Sequence, residues 1–201
     1  RSTLFPYTTL FRSTNFFRVS YGMFSGVRHY IALIGKTNDP HRMEKEGYYG
    51  ERIVLAATEM GLSTCWIGTS YDEKKCQCDV ADDEILDLVI AIGYGEERQT
   101  FREKLITNQI HRNTKPAEAL METAGDVLDW FKRGMDAVSK APTARNQFPF
   151  VFTCADGRVN VKTLGDSERV MVDLGIAKLH FELGAGNGRF PFGDNAAFIR
   201  D

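Results

Sequence analysis

The sequence predicts an α+β fold: helices packed around a mixed or antiparallel sheet, with two related halves in one chain. Three observations point there. Short runs of β-branched and aliphatic residues end at glycines, as buried strands do. Between them lie longer segments whose apolar residues recur at helical spacing. Gly50 to Gly61 and Gly175 to Gly186 share one spacing, each pair bracketing a helix that follows a strand. By itself that repeat also fits two unrelated helices with glycine ends.

Residues 1–13, RSTLFPYTTLFRS, are set apart. Thr-Leu-Phe and Arg-Ser each occur twice in them, and no acidic residue is present. No apolar stretch leads to a small-residue cleavage site, which argues against a signal peptide. Thr3–Ser13 resembles the in-frame translation of a sequencing-library adapter joined to a shortened reading frame; a natural tail is the alternative. The expectation is an artefactual leader over 1–13 outside the fold, a first half over 14–125 lacking its natural start, and a second half over 126–201.

Arg28–Gly35 (RHYIALIG) reads as a buried strand, followed by a polar loop at Asn38, Asp39 and Pro40. Tyr48–Met60 reads as a helix closed by Gly61, with Ile53, Val54, Ala57 and Met60 on one inward face. Leu62–Gly68 and Ile85–Gly95 are strands with glycine exits, and Glu96–Pro116 is charged and irregular. Val127–Ser139 is an amphipathic helix with Trp130 or Phe131, Met135 and Val138 inward. Phe148–Cys154 and Val159–Thr163 form a hairpin through Asp156-Gly157, and Asp173–Leu183 is a further helix.

The chain has 201 residues, a net charge of −2 and 43% hydrophobic residues, which suits one compact soluble domain or two small halves sharing a core. The near-neutral balance gives no case for nucleic acid or an anionic membrane surface. No apolar run approaches the roughly 18–20 residues that span a bilayer. Four cysteines are too few for a disulfide framework and point to a reducing, cytoplasmic setting. Cys76 and Cys78 form C-x-C with no second pair and no nearby His, which argues against zinc. No two histidines fall at i, i+4, and neither a P-loop nor a nucleophile elbow is present.

Three segments together resemble the nitroreductase family, in its branch of single-chain members with two fused halves. They are Gly47–Gly68 (GYYGERIVLAATEMGLSTCWIG); Ala91–Gly95 (AIGYG) with the later HRNTKP; and Trp130–Phe150 (WFKRGMDAVSKAPTARNQFPF) with Asp173–Gly186 (DLGIAKLHFELGAG). The resemblance spans nearly all of Tyr21–Gly186 and implies a nitroreductase-like fold binding FMN.

Flavin chemistry needs backbone donors for the ring's N5 and O4, a cation for the phosphate and an apolar slot with one open face. In the family the turn after the helix–strand unit lies against the flavin, so Ile67, Gly68 and Thr69 inherit that place, with Trp66 at the ring edge. From the residues alone this is equally a strand-to-loop turn with a core Trp. Arg112 and Lys115 resemble the basic pair before a proline that reaches the phosphate, at a spacing one residue longer than the family's. A solvated basic loop reads as well. Pro142, Thr143 and Asn146 lie in APTARN, which resembles the family's Ala-Pro-Ser-Ala-x-Asn loop; Thr143 is placed to cap a turn and Asn146 to offer its amide to the ring. Phe148-Pro149-Phe150 stands where the family has Gln-Pro-Trp. Without the resemblance, the loop is a helix–strand connector.

The resemblance implies an FMN-dependent oxidoreductase that passes hydride from NAD(P)H to nitro compounds, quinones or similar small acceptors, with no protein nucleophile and no metal. The rival is a non-catalytic flavin-binding protein of the same fold. Fused halves imply a pseudo-dimeric monomer, a homodimer being the alternative. The family's N-terminal Arg-x-Ser-x-Arg motif, which grips the phosphate, has no match after Ser13, so this chain is expected to bind FMN poorly or not at all, and the natural full-length protein to bind it. Losing two or three charge-assisted bonds of about 1.5–3 kcal/mol each lowers affinity by several orders of magnitude.

Overall fold

The structure is a computed structural model that describes residues 8–12 (backbone), 29–68, 71, 76–94 and 115–201. The chain separates into two compact units, one of Arg1–Pro40 with Arg52–His111, the other of His41–Glu51 with Arg112–Asp201. The mixed α+β architecture expected from the sequence is present in both.

The first unit holds a four-stranded sheet in the order β1-β2-β4-β3. Its strands are β1 (Thr8–Arg12), β2 (His29–Lys36), β3 (Ser63–Ile67) and β4 (Glu84–Gly93), and every neighbouring pair is antiparallel. β2 and β4 are the central strands, and their apolar runs are buried: Tyr30, Ile31, Ala32 and Leu33 in one, Val89, Ile90 and Ala91 in the other. β1 lies within residues 1–13, and its Thr8–Arg12 pair with Leu33–His29. The physical reason is general: a β-branched and aromatic segment adds readily to an open strand edge, whatever its source.

Helix α1 (Arg42–Glu59) begins six residues earlier than the periodicity indicates and contributes residues to both units. The charged run Met43–Glu46 precedes the helix read from the sequence, yet Glu44 and Glu46 are buried at 0% exposure. At its other end α1 stops at Glu59, and Gly61 follows with φ +74. Met60 therefore lies beyond the helix and is exposed, a correction to its expected inward place; Ala57 is buried as expected.

The second unit holds a four-stranded sheet in the order β5-β6-β7-β9. β5 (Met121–Ala124) runs parallel to β6 (Phe150–Ala155); β7 (Arg158–Thr163) and β9 (Ala196–Ala197) continue antiparallel. The β6–β7 hairpin turns through Asp156 (φ 50) and Gly157 (φ 74), the two positive-φ positions a tight right-twisting hairpin requires. β8 (Gly188–Arg189) and β10 (Ile199–Arg200) form a separate two-stranded ribbon that the Gly- and Phe-rich tail does not announce.

α2 (Asp129–Val138) buries Trp130, Phe131, Met135 and Val138, as its spacing predicts. α3 (Val170–Ala185) is buried from Val172 through Phe181, so it is the central helix of this unit. Phe152 stacks on Phe181, with ring centroids 5.1 Å apart, inside a core that also takes in Phe131, Phe150 and Phe190. Like α1, α3 ends at a positive-φ glycine, Gly186. No helix among the described residues is long and apolar enough to cross a membrane.

Candidate functional site

The segment with the most unusual backbone is the connector from α2 to β6. Thr143 precedes a short 3-10 turn, Ala144–Asn146. Arg145, Asn146 and Phe148 all have positive φ, at 54°, 55° and 50°. Asn tolerates this region, whereas Arg and Phe pay about 1–2 kcal/mol each for the Cβ–carbonyl crowding. Such strain persists only where surrounding contacts impose it.

Three side chains impose it. The Asp173 carboxylate accepts the Ala144 N–H at 3.0 Å. Thr143 Oγ1 accepts the Phe148 N–H at 3.2 Å, across the turn; it makes no side-chain capping bond to the turn itself. Lys115 Nζ donates to the Gln147 carbonyl at 2.8 Å. Phe148 and Phe150 anchor the far end in the core, edge to face with each other. Both are core residues. Between these anchors Pro142, Thr143 and Asn146 remain half-buried, and Ala144, Arg145 and Gln147 are exposed.

Asp173 is the member of this arrangement that sequence reasoning does not single out. It sits in the first turn of α3, is 5% exposed, and burial pushes its carboxyl up to about 6 while the Ala144 N–H pulls it down. An acidic residue in a helix's first turn is ordinary; nothing near it in sequence indicates a partner 29 positions away.

Beside it, α1 and α3 cross at backbone contact. A Cβ on Gly47 would lie 2.1 Å from the Val172 carbonyl oxygen, and one on Gly175 would lie 2.0 Å from that of Glu44. At this crossing Lys178, 1% exposed, pairs with Glu44 and donates to the carbonyls of Pro191 (2.9 Å) and Gly193 (2.7 Å). Glu44 also accepts the Gly193 N–H at 2.6 Å. Burial pushes the Lys178 ammonium's pKa down, against the opposing pull of Glu44. His180 Nε2 lies 2.9 Å from Glu51 Oε1. These buried polar side chains are hydrogen-bonded to one another and hold α1 against α3.

In the first unit, the expected turn follows β3, the edge strand of its sheet. Trp66 lies opposite Ile90 and is half-buried; Ile67 lies opposite Val89 and is 4% exposed, in the core with Tyr30. Gly68 is the bend immediately after the strand. Thr69 and Arg112 lie outside the described residues. The structure thus brings Lys115 together with the Pro142–Asn146 loop, and it places Trp66, Ile67 and Gly68 in the other unit. No group of three or more metal-ligating side chains occurs among the described residues.

Comparison with known proteins follows the same line. The sequence profile of the family described as Putative TM nitroreductase matches residues 7–185. A solved structure, a putative nitroreductase from Thermotoga maritima, superposes with a TM-score of 0.58 at 20% identity, over 85% of this chain and 69% of that one. At that identity the likeness speaks for the fold. No curated protein matches the sequence.

Proposed function

Because the chain belongs to the Putative TM nitroreductase family, we propose that it is an FMN-dependent oxidoreductase. Its reductant is NAD(P)H, and its acceptors are nitro compounds, quinones or similar electron-poor small molecules. Bound FMN supplies two-electron transfer between these partners.

The backbone at the end of β3, Ile67 to Thr69, would offer N–H donors to the ring, with Trp66 at the ring edge, and Gly68 allows close backbone approach. Lys115 and Arg112 would face the phosphate; Lys115, exposed, has further ammonium protons beyond the one given to Gln147. Pro142, Thr143 and Asn146 would border the ring, with Asn146 contributing amide contacts.

The observation that supports this most is the strained loop. The segment that resembles the family's flavin loop is also where three non-glycine residues are held at positive φ by Asp173, Thr143 and Lys115. Rigid placement of a binding loop lowers the ordering cost of taking a ligand.

The test is a flavin titration followed by steady-state assay. Weak but saturable FMN binding, with NAD(P)H oxidation dependent on a nitroaromatic acceptor, is the expected result. Binding without turnover would select the non-catalytic reading, and no binding at millimolar FMN would remove both.

A further inference from the structure

The C-x-C motif plays no part in the flavin reading, and its geometry is specific. Cys76 and Cys78 sulfurs lie 3.3 Å apart. Tyr30, fully buried in β2, holds the segment between them: Gln77 N–H donates to Tyr30 Oη at 2.9 Å, and Cys76 Sγ lies 3.5 Å from the same oxygen. Both cysteines are half-buried and Gln77 is exposed. The two thiols are therefore aimed at each other and still reachable from solvent.

We propose that Cys76 and Cys78 form a redox-active dithiol that reduces small-molecule disulfides and closes on itself as a reversible C-x-C disulfide. Cys76 is the attacking sulfur, because its thiol donates to Tyr30 Oη at 3.5 Å and it is the sulfur that Cys78 Sγ faces at 3.3 Å, in position to resolve the mixed disulfide. Having lost its proton, Cys76 attacks one sulfur of the external disulfide. That S–S bond breaks, and the first thiol leaves with a proton. Cys78 then loses its proton and attacks Cys76 Sγ; the mixed disulfide breaks, and the second thiol leaves protonated. Two electrons pass from the protein to the external disulfide, and the two protein thiol protons end on the two thiols released.

The order of steps follows from the surroundings. Burial and the neighbouring Cys76 push the Cys78 thiol up to about 12, so Cys78 waits as a thiol. Once Cys76 is in a mixed disulfide it carries no charge, and that part of the penalty disappears. Closure needs the sulfurs to approach from 3.3 Å to about 2.05 Å. A bond closed across one residue is strained, and strained disulfides are the ones thiols readily reopen. None of this chemistry needs a flavin, so it stands or falls apart from the proposed cofactor.

The purified protein is reduced, freed of reductant and incubated with oxidised glutathione; remaining thiols are alkylated and mapped by mass spectrometry. The free-thiol count should fall by two. The peptide with Cys76 and Cys78 should be unlabelled and two hydrogens lighter, while Cys65 and Cys154 stay labelled; dithiothreitol should restore both thiols. Cys78→Ser should trap glutathione on Cys76, an adduct the parent does not accumulate, and Tyr30→Phe should slow closure several-fold. Circular dichroism establishes that each variant is folded; if a variant is not, the parent's thiol count alone decides. Alkylation of both Cys76 and Cys78 in the parent, or a stable glutathione adduct there without closure, overturns the proposal.

Discussion

The Asp173 carboxylate and the Ala144 backbone N–H meet at 3.0 Å, across 29 positions of sequence. Through that bond the first turn of α3 fixes a loop in which Arg145, Asn146 and Phe148 are held at positive φ. Replacing Asp173 with Ala removes the acceptor and leaves a part-buried donor unsatisfied. We expect a loss of about 1–3 kcal/mol in urea denaturation and a weaker hold on any ligand of the loop. An Asp173→Ala protein as stable as the parent would show the bond to be incidental.

The same carboxyl makes stability depend on pH. It titrates near 3.8 when unfolded and at about 6 when folded, because burial disfavours its charge. Between those values the folded state holds the extra proton. Its favourable contribution is therefore complete below about pH 4 and lost as pH rises through about 6, by an amount on the order of 2–3 kcal/mol. Asp173→Asn keeps an oxygen for Ala144 and has no charge to bury. The difference in stability between the two proteins, measured from pH 4 to 8, should move in the variant's favour; a constant difference contradicts this account.

Lys178→Met leaves Glu44 buried without its cation. Breaking one partner of a buried pair costs about 3–5 kcal/mol, so thermal unfolding should shift down by many degrees. The exposed pair of Lys140 with Asp136 at 2.7 Å is the control; its removal should change stability by less than about 1 kcal/mol.

Gly175→Ala puts a methyl where the Glu44 carbonyl already stands, 2.0 Å away, and no flexible side chain is there to yield. The expected outcome is severe destabilisation, at or above the 1–3 kcal/mol or so of ordinary overpacking. Gly93→Ala, with open space around it, should be near neutral. Soluble yield and melting temperature of the two variants report the contrast.

For ligand binding, Lys115→Met and Asn146→Ala should each weaken FMN in a fluorescence titration by roughly ten- to a hundredfold, the equivalent of one charge-assisted bond of about 1.5–3 kcal/mol. Unchanged affinity in both would move the cofactor away from this loop.

Strands β2, β3, β4, the β6–β7 hairpin and helix α2 were legible because their patterns are local. Glycine exits, Asp156-Gly157 and an apolar face at Trp130, Phe131, Met135 and Val138 are all read within a dozen residues. The start of α1 was not legible, since Glu44 and Glu46 look like a solvated run. Their burial depends on Lys178 and Gly193 for Glu44, groups far along the chain. The candidate loop shows the same division. Its sequence carries the resemblance, whereas Thr143, read as a cap, bonds across the turn instead. Asp173 was missed because no local pattern announces a partner at that range. The short ribbon of β8 and β10 has two residues per strand, too few for any periodicity to register.

The bond between Glu44 and Lys178 spans 134 positions, and this has a consequence for biosynthesis. As the chain leaves the ribosome, the acidic end of α1 emerges long before the lysine it must meet. For that whole interval Glu44 lacks the cation it is buried against. Topology of this kind folds slowly, since the long loop must close before its contacts compensate. Translation must therefore pass Lys178 before the interior of this unit is completed, and a nascent chain stalled before that point would present an unfinished interior to chaperones and proteases.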